Sequence, residues 1–350
     1  MRLAYFPNLP QNPYQRLFYA ALAPHGISAR PLEVINDADL RRQAAGPDGP
    51  QALHLHWLEG LIGEGSTTQR LRCIISLHRY LRTARGLGLR ILWTVHNHQR
   101  HDGYRRVDHW GQRVVARAAE VIITHSQWSA GWVQERFHPR GRIVVMPHGN
   151  YDGCYPPREI GNAERALMLG KVGLDASRPV AGMIGAVRPY RGHEEAIAAI
   201  HCLAGRVQLL VAGWEFNPGY SASLRQQAAG GPGRVAFHLA GIPDEEYARL
   251  VRACDVILLP YERVTSSGAI LSAWTLARPV VANDLPFFRE FLGALPGAGL
   301  VAPARDPQAF AATIEQLLAI PAAQRQAAAR AQADRYAWDK VVLPVVTALA

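Results

Sequence analysis

Val180-Ala-Gly-Met-Ile-Gly-Ala-Val-Arg-Pro-Tyr-Arg-Gly192 begins as a short apolar run, turns polar beyond Gly185 and ends on a glycine just before a helical stretch. A strand, a Gly-bounded loop and a helix in that order make one βα unit. The same alternation recurs almost from end to end. Downstream, strands are expected at 208–211, 235–239, 256–259 and 280–282, and helices at 194–204, 244–253, 269–277 and 307–318. Upstream, strands are expected at 2–5, 52–56, 91–95, 121–124 and 143–146, with helices at 14–23, 67–85 and 110–119. This is the pattern of parallel sheets with crossover helices. The expected architecture is α/β, with two Rossmann-like domains facing a central cleft. The expected divisions are 1–155, 156–335 and a helical tail, 336–350, returning to the N-terminal domain. In such sheets ligands bind beyond the carboxyl ends of the strands, so the loops after strands are the places to search.

Bulk composition narrows the partners. A chain of 350 residues with 49% hydrophobic content has enough apolar material for two cores. The formal charge of +10 points to an anion: a nucleoside diphosphate, lipid headgroups or nucleic acid. No nucleic-acid-binding motif accompanies the charge, which argues against the last. Cys73, Cys154, Cys202 and Cys254 show no paired spacing, so neither a zinc site nor a disulfide framework is indicated. No run has the length of a membrane span and the N-terminus has no signal-like apolar core, so the expected address is the cytoplasm.

Two segments of the second half suit a phosphate. Arg188 and Arg191 stand three apart in the loop opened by Gly185, and guanidinium forks pair with phosphate oxygens. The helix starting near His193 adds the partial positive charge of its N-terminus. In Leu259-Pro-Tyr-Glu-Arg-Val-Thr-Ser-Ser-Gly-Ala-Ile270, Ser266 or Ser267 reads as a helix cap, and Gly268 would let an anion approach the backbone amides. Each segment alone fits an ordinary turn or capped helix. Together, after strands of one domain, they read as a diphosphate cradle.

The order of these loops, with Gly241-Ile-Pro243 and the run 271–282, resembles the donor domain of GT-B glycosyltransferases. The run is similar to the retaining family-four pattern but departs from it, because Ser272 and Val264 stand where that pattern has glutamates. The loop 188–192, Ser267-Gly268 and the run 276–280 more closely resemble the xanthan-pathway family of GDP-mannose:glycolipid 4-β-mannosyltransferases, with Arg191 in place of a lysine. Asn12-Pro-Tyr14, His54-Leu-His-Trp-Leu-Glu59, His96-Asn97 and Pro147-His-Gly149 extend that resemblance into the first half.

The resemblance implies inverting transfer of mannose from GDP-mannose to a lipid-linked oligosaccharide in exopolysaccharide synthesis, with no metal or other cofactor. It implies donor contacts from Gly185, Arg188, Arg191, Gly241, Ile242, Tyr261, Ser266, Ser267, Gly268 and Ala269. Acceptor contacts would come from Asn12, Tyr14, His56, Trp57 and His148. Inversion needs one general base, and Glu59, His96, His101 and Asp102 all follow strands. Glu59 ranks first, as a carboxylate beside Trp57 placed for partial desolvation. Basic helices around 79–85 and 105–117 suit peripheral binding to the inner face of the cytoplasmic membrane. A UDP-sugar donor, and a nucleotide-sugar-binding protein without turnover, remain open.

Overall fold

The computed structural model describes residues 1–63, 65–100, 106–292 and 295–350. The chain divides into two compact units, Met1–Gly149 with Trp338–Ala350, and Asn150–Ala337. The expected tail 336–350 is two short helices, Trp338–Val341 and Leu343–Leu349, and it belongs to the first unit. Arg90 holds it there by donating to the carbonyls of Ala348 and Leu349 at 3.0 and 2.8 Å.

The first unit is built on six parallel strands: β1 (Arg2–Phe6), β2 (Ser28–Pro31), β3 (Ala52–Leu55), β4 (Arg90–Thr94), β5 (Val121–Thr124) and β6 (Arg142–Val145). Their order is β2-β1-β3-β4-β5-β6. The central strands are apolar without alternation because helices cover both faces. Leu53, Leu55, Ile91, Trp93 and Ile122 are all buried, in one core with Val133 and Phe137. β2 was not expected: Ser-Ala-Arg-Pro is a polar edge strand, and its proline sits where an edge tolerates one.

The second unit also has six parallel strands: β7 (Val180–Ile184), β8 (Gln208–Ala212), β9 (Val235–His238), β10 (Val256–Leu259), β11 (Val280–Asn283) and β12 (Gly299–Ala302). Their order is β12-β11-β10-β7-β8-β9. The chain starts in the middle, adds β8 and β9 on one side, then crosses over to add β10, β11 and β12 on the other. The reversal falls between β7 and β10, which pair directly through Ile257 and Gly182. At such a switch point the loops after the two strands diverge to opposite faces and leave a crevice for ligand. The loop with Gly185 to Gly192 follows β7 and the loop with Tyr261 to Ser267 follows β10, so both candidate loops flank that crevice.

Candidate functional site

In the second unit, the two loops fit each other closely. Gly192 has φ +72°, and a Cβ there would lie 1.8 Å from the Pro260 carbonyl oxygen. Only glycine allows the β7 loop to meet the β10 loop at that point. A helix follows each loop: His193–Cys202, with Gly192 as N-cap, and Gly268–Thr275, with Ser267 as N-cap. Neither has a side-chain cap. The expected capping by Ser267 does not occur, since its hydroxyl is buried without a hydrogen-bond partner. Uncapped helix N-termini leave backbone N–H groups to be satisfied by something else, and an anion does so best.

The two arginines of the β7 loop differ. Arg188 is half-exposed, with its guanidinium carbon 4.1 Å from the centre of the Phe216 ring. Arg191 is buried and faces inward. It donates to Tyr261 Oη at 2.9 and 3.2 Å, to the Ala186 carbonyl at 3.0 Å and to the Ile184 carbonyl at 3.2 Å. Expected as a second phosphate ligand, it instead ties the end of β7 and its loop to Tyr261, which is itself buried. His193 is also buried. Burial and the neighbouring Arg191 charge push its pKa down to about 3, partly offset by the Arg188 backbone, so the ring is neutral.

Gly268 has a different constraint from the one expected. The space its Cβ would take is filled by Tyr151 Oη, 2.3 Å away. Ser266 and Ala269 are half-exposed beside it, and Gly241 and Ile242 lie in the loop after β9, at the same end of the sheet. The position of Ser272 holds a half-buried hydroxyl cluster: its Oγ lies 2.9 Å from Tyr155 Oη and donates to Tyr247 Oη at 3.1 Å. Asn283, at the end of β11, is buried with its side-chain oxygen unpaired. Its amide donates to Glu195 Oε2 at 2.9 Å.

The carboxyl end of the first sheet is built from imidazoles. His56 follows β3, His96 follows β4, His125 follows β5 and His148 follows β6; all are buried. They surround Tyr14, whose ring centre lies 4.8, 5.4, 5.0 and 5.4 Å from those of His96, His125, His148 and Trp338. His56 Nδ1 and His96 Nε2 are 3.0 Å apart, and Tyr19 Oη bridges His54 and His56 at 3.0 and 2.7 Å. His125 and His148 donate from Nδ1 to the carbonyls of Met146 and Gly149. That hydrogen bond fixes the tautomer of each ring.

Burial holds His54 and His148 at about 3 and His125 at about 4, and pushes His56 and His96 well below the usual imidazole range. At neutral pH all five are uncharged. Trp57 stacks on His96 at 3.9 Å and is half-exposed, covering this cluster. Tyr14, His56 and His148, expected among the acceptor contacts, are packed in the floor beneath. Asn12 accepts from the Tyr14 backbone N–H at 3.0 Å and caps the helix Pro13–Leu22.

Beside the cluster, a pocket is lined by Trp57, Glu59, His96, Asn97, His98 and Arg100, among others. Glu59 begins the short helix Glu59–Ile62, and its Oε1 accepts from Asn97 Nδ2 at 2.8 Å. Arg100 donates to the carbonyls of Glu59 and Gly63. The second carboxylate of the pocket, Asp108, is paired with Arg70 at 2.9 Å. His101 and Asp102 lie outside the described residues. His125 and Trp338 were missed by sequence reasoning, and no local motif marks either.

Residues 178–319 match the family model described as Glycosyl transferases group 1. Over 280 residues, the chain is 26% identical to a GDP-mannose:glycolipid 4-beta-D-mannosyltransferase of Xanthomonas campestris pv. campestris, covering 79% of this chain and 71% of the relative. This chain is a glycosyltransferase. A D-inositol 3-phosphate glycosyltransferase of Corynebacterium urealyticum is 27% identical over 243 residues, covering 65% of this glycosyltransferase and 56% of that protein. Among solved structures, Anabaena HepE in complex with UDP and glucose superposes with a TM-score of 0.72 at 14% identity, covering 100% of this chain and 99% of HepE. Sucrose-phosphate synthase of Thermosynechococcus elongatus follows at 0.67 and 17%, covering 99% and 97%. At these identities the structures speak for the fold, which is GT-B.

Proposed function

We propose that this glycosyltransferase moves mannose from GDP-mannose to a lipid-linked saccharide with inversion at the anomeric carbon, in exopolysaccharide synthesis. The observation that carries the donor half is the pair of uncapped helix starts, at His193 and Gly268, flanking the switch point of the second sheet. The diphosphate would accept their amide N–H groups and the guanidinium of Arg188, which also stabilises the charge that develops as it leaves. Arg191 positions this loop from below.

The acceptor hydroxyl loses its proton to Glu59 while its oxygen bonds to the anomeric carbon, and the nucleoside diphosphate departs with the bonding electrons. Glu59 is favoured over His96 because His96, buried and held neutral far below the usual range, is a poor proton acceptor near pH 7. Asn97 fixes one carboxylate oxygen and leaves the other for the acceptor. Inversion is favoured by the hydroxyl cluster at Ser272, which puts no carboxylate where the family-four pattern has one. Mannose and GDP are supported by the Xanthomonas relative's printed activity.

A lipid-linked acceptor also fits the surface of the first unit. Arg72, Arg79, Arg82 and Arg85 are exposed along the helix Thr67–Gly86, with Ile75 half out of the protein and Trp110 exposed on the helix Arg106–Ala118. Basic side chains with interspersed apolar ones suit an anionic membrane surface. Among the described residues no helix is long and apolar enough to cross a membrane, so attachment by these helices would be peripheral.

Incubating the protein with radiolabelled GDP-mannose and a membrane-lipid extract tests the reading. Label should pass to the lipid fraction; transfer only from another sugar nucleotide would reject the mannosyl assignment. The second reading, a UDP-sugar donor, draws on the UDP and glucose in HepE. Thermal shifts with GDP and with UDP separate the two.

A further inference from the structure

The second unit has another cationic cavity at the opposite end of its sheet. It has a volume of about 400 Å³ and lies beside Cys254-Asp255, which precede β10, and Arg278-Pro279, which precede β11. Four of its lining residues are Arg165, Arg252, Arg278 and Arg325; the carboxylates are Glu159 and Asp255. Arg252, Arg278 and Arg325 are each more than nine-tenths buried. Four guanidinium groups against two carboxylates leave an excess of two positive charges.

Ordinary structural duties account for part of this set. Arg278 donates to the carbonyls of Arg252, Leu276 and Ala277, and Arg165 pairs with Asp255 at 2.7 Å. Arg325 donates through Nη1 to the carbonyls of Leu318 and Ile320, but its Nε is buried with no acceptor. Glu159 is largely exposed and reaches Arg252 and Arg278 only at 3.4 and 3.9 Å. An excess of buried positive charge is costly, and a ligand anion in the cavity would offset it.

Two helices begin on the same cavity. Asn162–Lys171 has Gly161 as its N-cap and Ala322–Arg335 has Pro321, neither with a side-chain cap. Asn162 and Arg165 of the first, and Ala322, Arg325 and Gln326 of the second, line the space. The only acidic residue in either first turn, Glu164, is engaged by Arg158 and Arg249. Two helix N-termini and an excess of arginine side chains around one cavity make a site for a tetrahedral dianion.

We infer that this cavity binds a phosphate group, free or as a monoester, at a place distinct from the donor loops. It sits at the amino end of a sheet whose carboxyl end takes the nucleotide. Arg278 connects the two ends, because the carbonyls it caps directly follow the helix Gly268–Thr275.

Titration calorimetry of the full chain with inorganic phosphate, and with methyl phosphate as the monoester, tests the inference. Ala322 is exposed in a first helical turn, so Ala322→Asp should keep or raise the melting temperature while placing a carboxylate where the anion binds. Saturable binding is expected for the wild type, unchanged by Arg188→Ala and weakened roughly tenfold or more by Ala322→Asp. Gln326→Glu should act in the same direction. No saturable binding, equal binding by Ala322→Asp, or loss on Arg188→Ala would each overturn it, the last by moving the anion to the donor loops.

Discussion

The carboxyl ends of the two sheets have the same general plan and opposite chemistry. In the first unit the loops after β3 to β6 bring together His56, His96, His125 and His148, all buried and neutral, around Tyr14 and under Trp57. In the second, the loops after β7 and β10 present uncapped helix starts, Arg188 and the unpaired hydroxyl of Ser267. A neutral aromatic floor covered by the half-exposed Trp57 puts no charge beneath an uncharged saccharide, whereas amide N–H groups and a guanidinium suit a diphosphate. On the proposed function, similar topology would serve two ligands because the loop residues, not the strands, set the electrostatics.

The sharpest way to break this division is Glu59→Gln. Turnover should fall about 10²- to 10⁴-fold, the usual worth of a general base, with GDP affinity unchanged. Full activity in steady-state assays would remove Glu59 from the chemistry. Next comes Arg191→Ala, which strips the partners from Tyr261 Oη and from the carbonyls of Ile184 and Ala186 inside the protein. A loss of about 3 kcal/mol in denaturant unfolding is expected, with weakened donor binding as a consequence. Arg188→Ala should instead leave stability alone and weaken GDP binding by about 1–3 kcal/mol, because its side chain stands half out of the protein.

The imidazole rim predicts an acid-sensitive first unit. Each buried histidine has its pKa lowered on folding, so protons favour the unfolded chain. The stability it contributes is complete above about pH 6.5 and is lost as pH falls toward the folded values of about 3 to 4. In that window each ring costs up to about 1.4 kcal/mol per pH unit. Unfolding followed at pH 7.5 and 5.0 by a probe in the first unit should show a clear drop, and a flat response would contradict the neutral assignment. The smallest effect concerns the exposed arginines. Arg79→Glu with Arg82→Glu should lower sedimentation with anionic vesicles severalfold, and equal binding would remove this helix as the membrane face.

Much of this was legible from the chain, for reasons particular residues make plain. Buried central strands such as Val180–Ile184 and Val256–Leu259 are apolar throughout and bounded by turns, so the parallel α/β class could be read directly, while the GT-B resemblance rested on the loop motifs at 188–192, 241–243 and 267–282. Edge strands Ser28–Pro31 and Gly299–Ala302 were missed for different reasons: the first is polar and mostly exposed, and the second is only four residues long and follows Pro296-Gly-Ala298, which reads as a turn. The helices Gln127–Phe137 and Ala322–Arg335 lack a clear apolar stripe, and tertiary packing rather than pattern holds them.

At the site, spacing marked both candidate donor loops but could not tell that Arg188 is half-exposed and Arg191 buried. That depends on Tyr261, seventy residues away in sequence and brought close by the pairing of β10 with β7. His125 and Trp338 join Tyr14 only through the fold. Charge told a similarly incomplete story, since several arginines of the second unit are spent on buried carbonyls rather than on any surface.

A crystal structure with GDP bound tests most directly where the nucleotide sits. The diphosphate should lie against the backbone amides at the starts of the helices His193–Cys202 and Gly268–Thr275, with Arg188 turned onto it. A nucleotide held by the histidine rim of the first unit, with those two helix starts left empty, would contradict it.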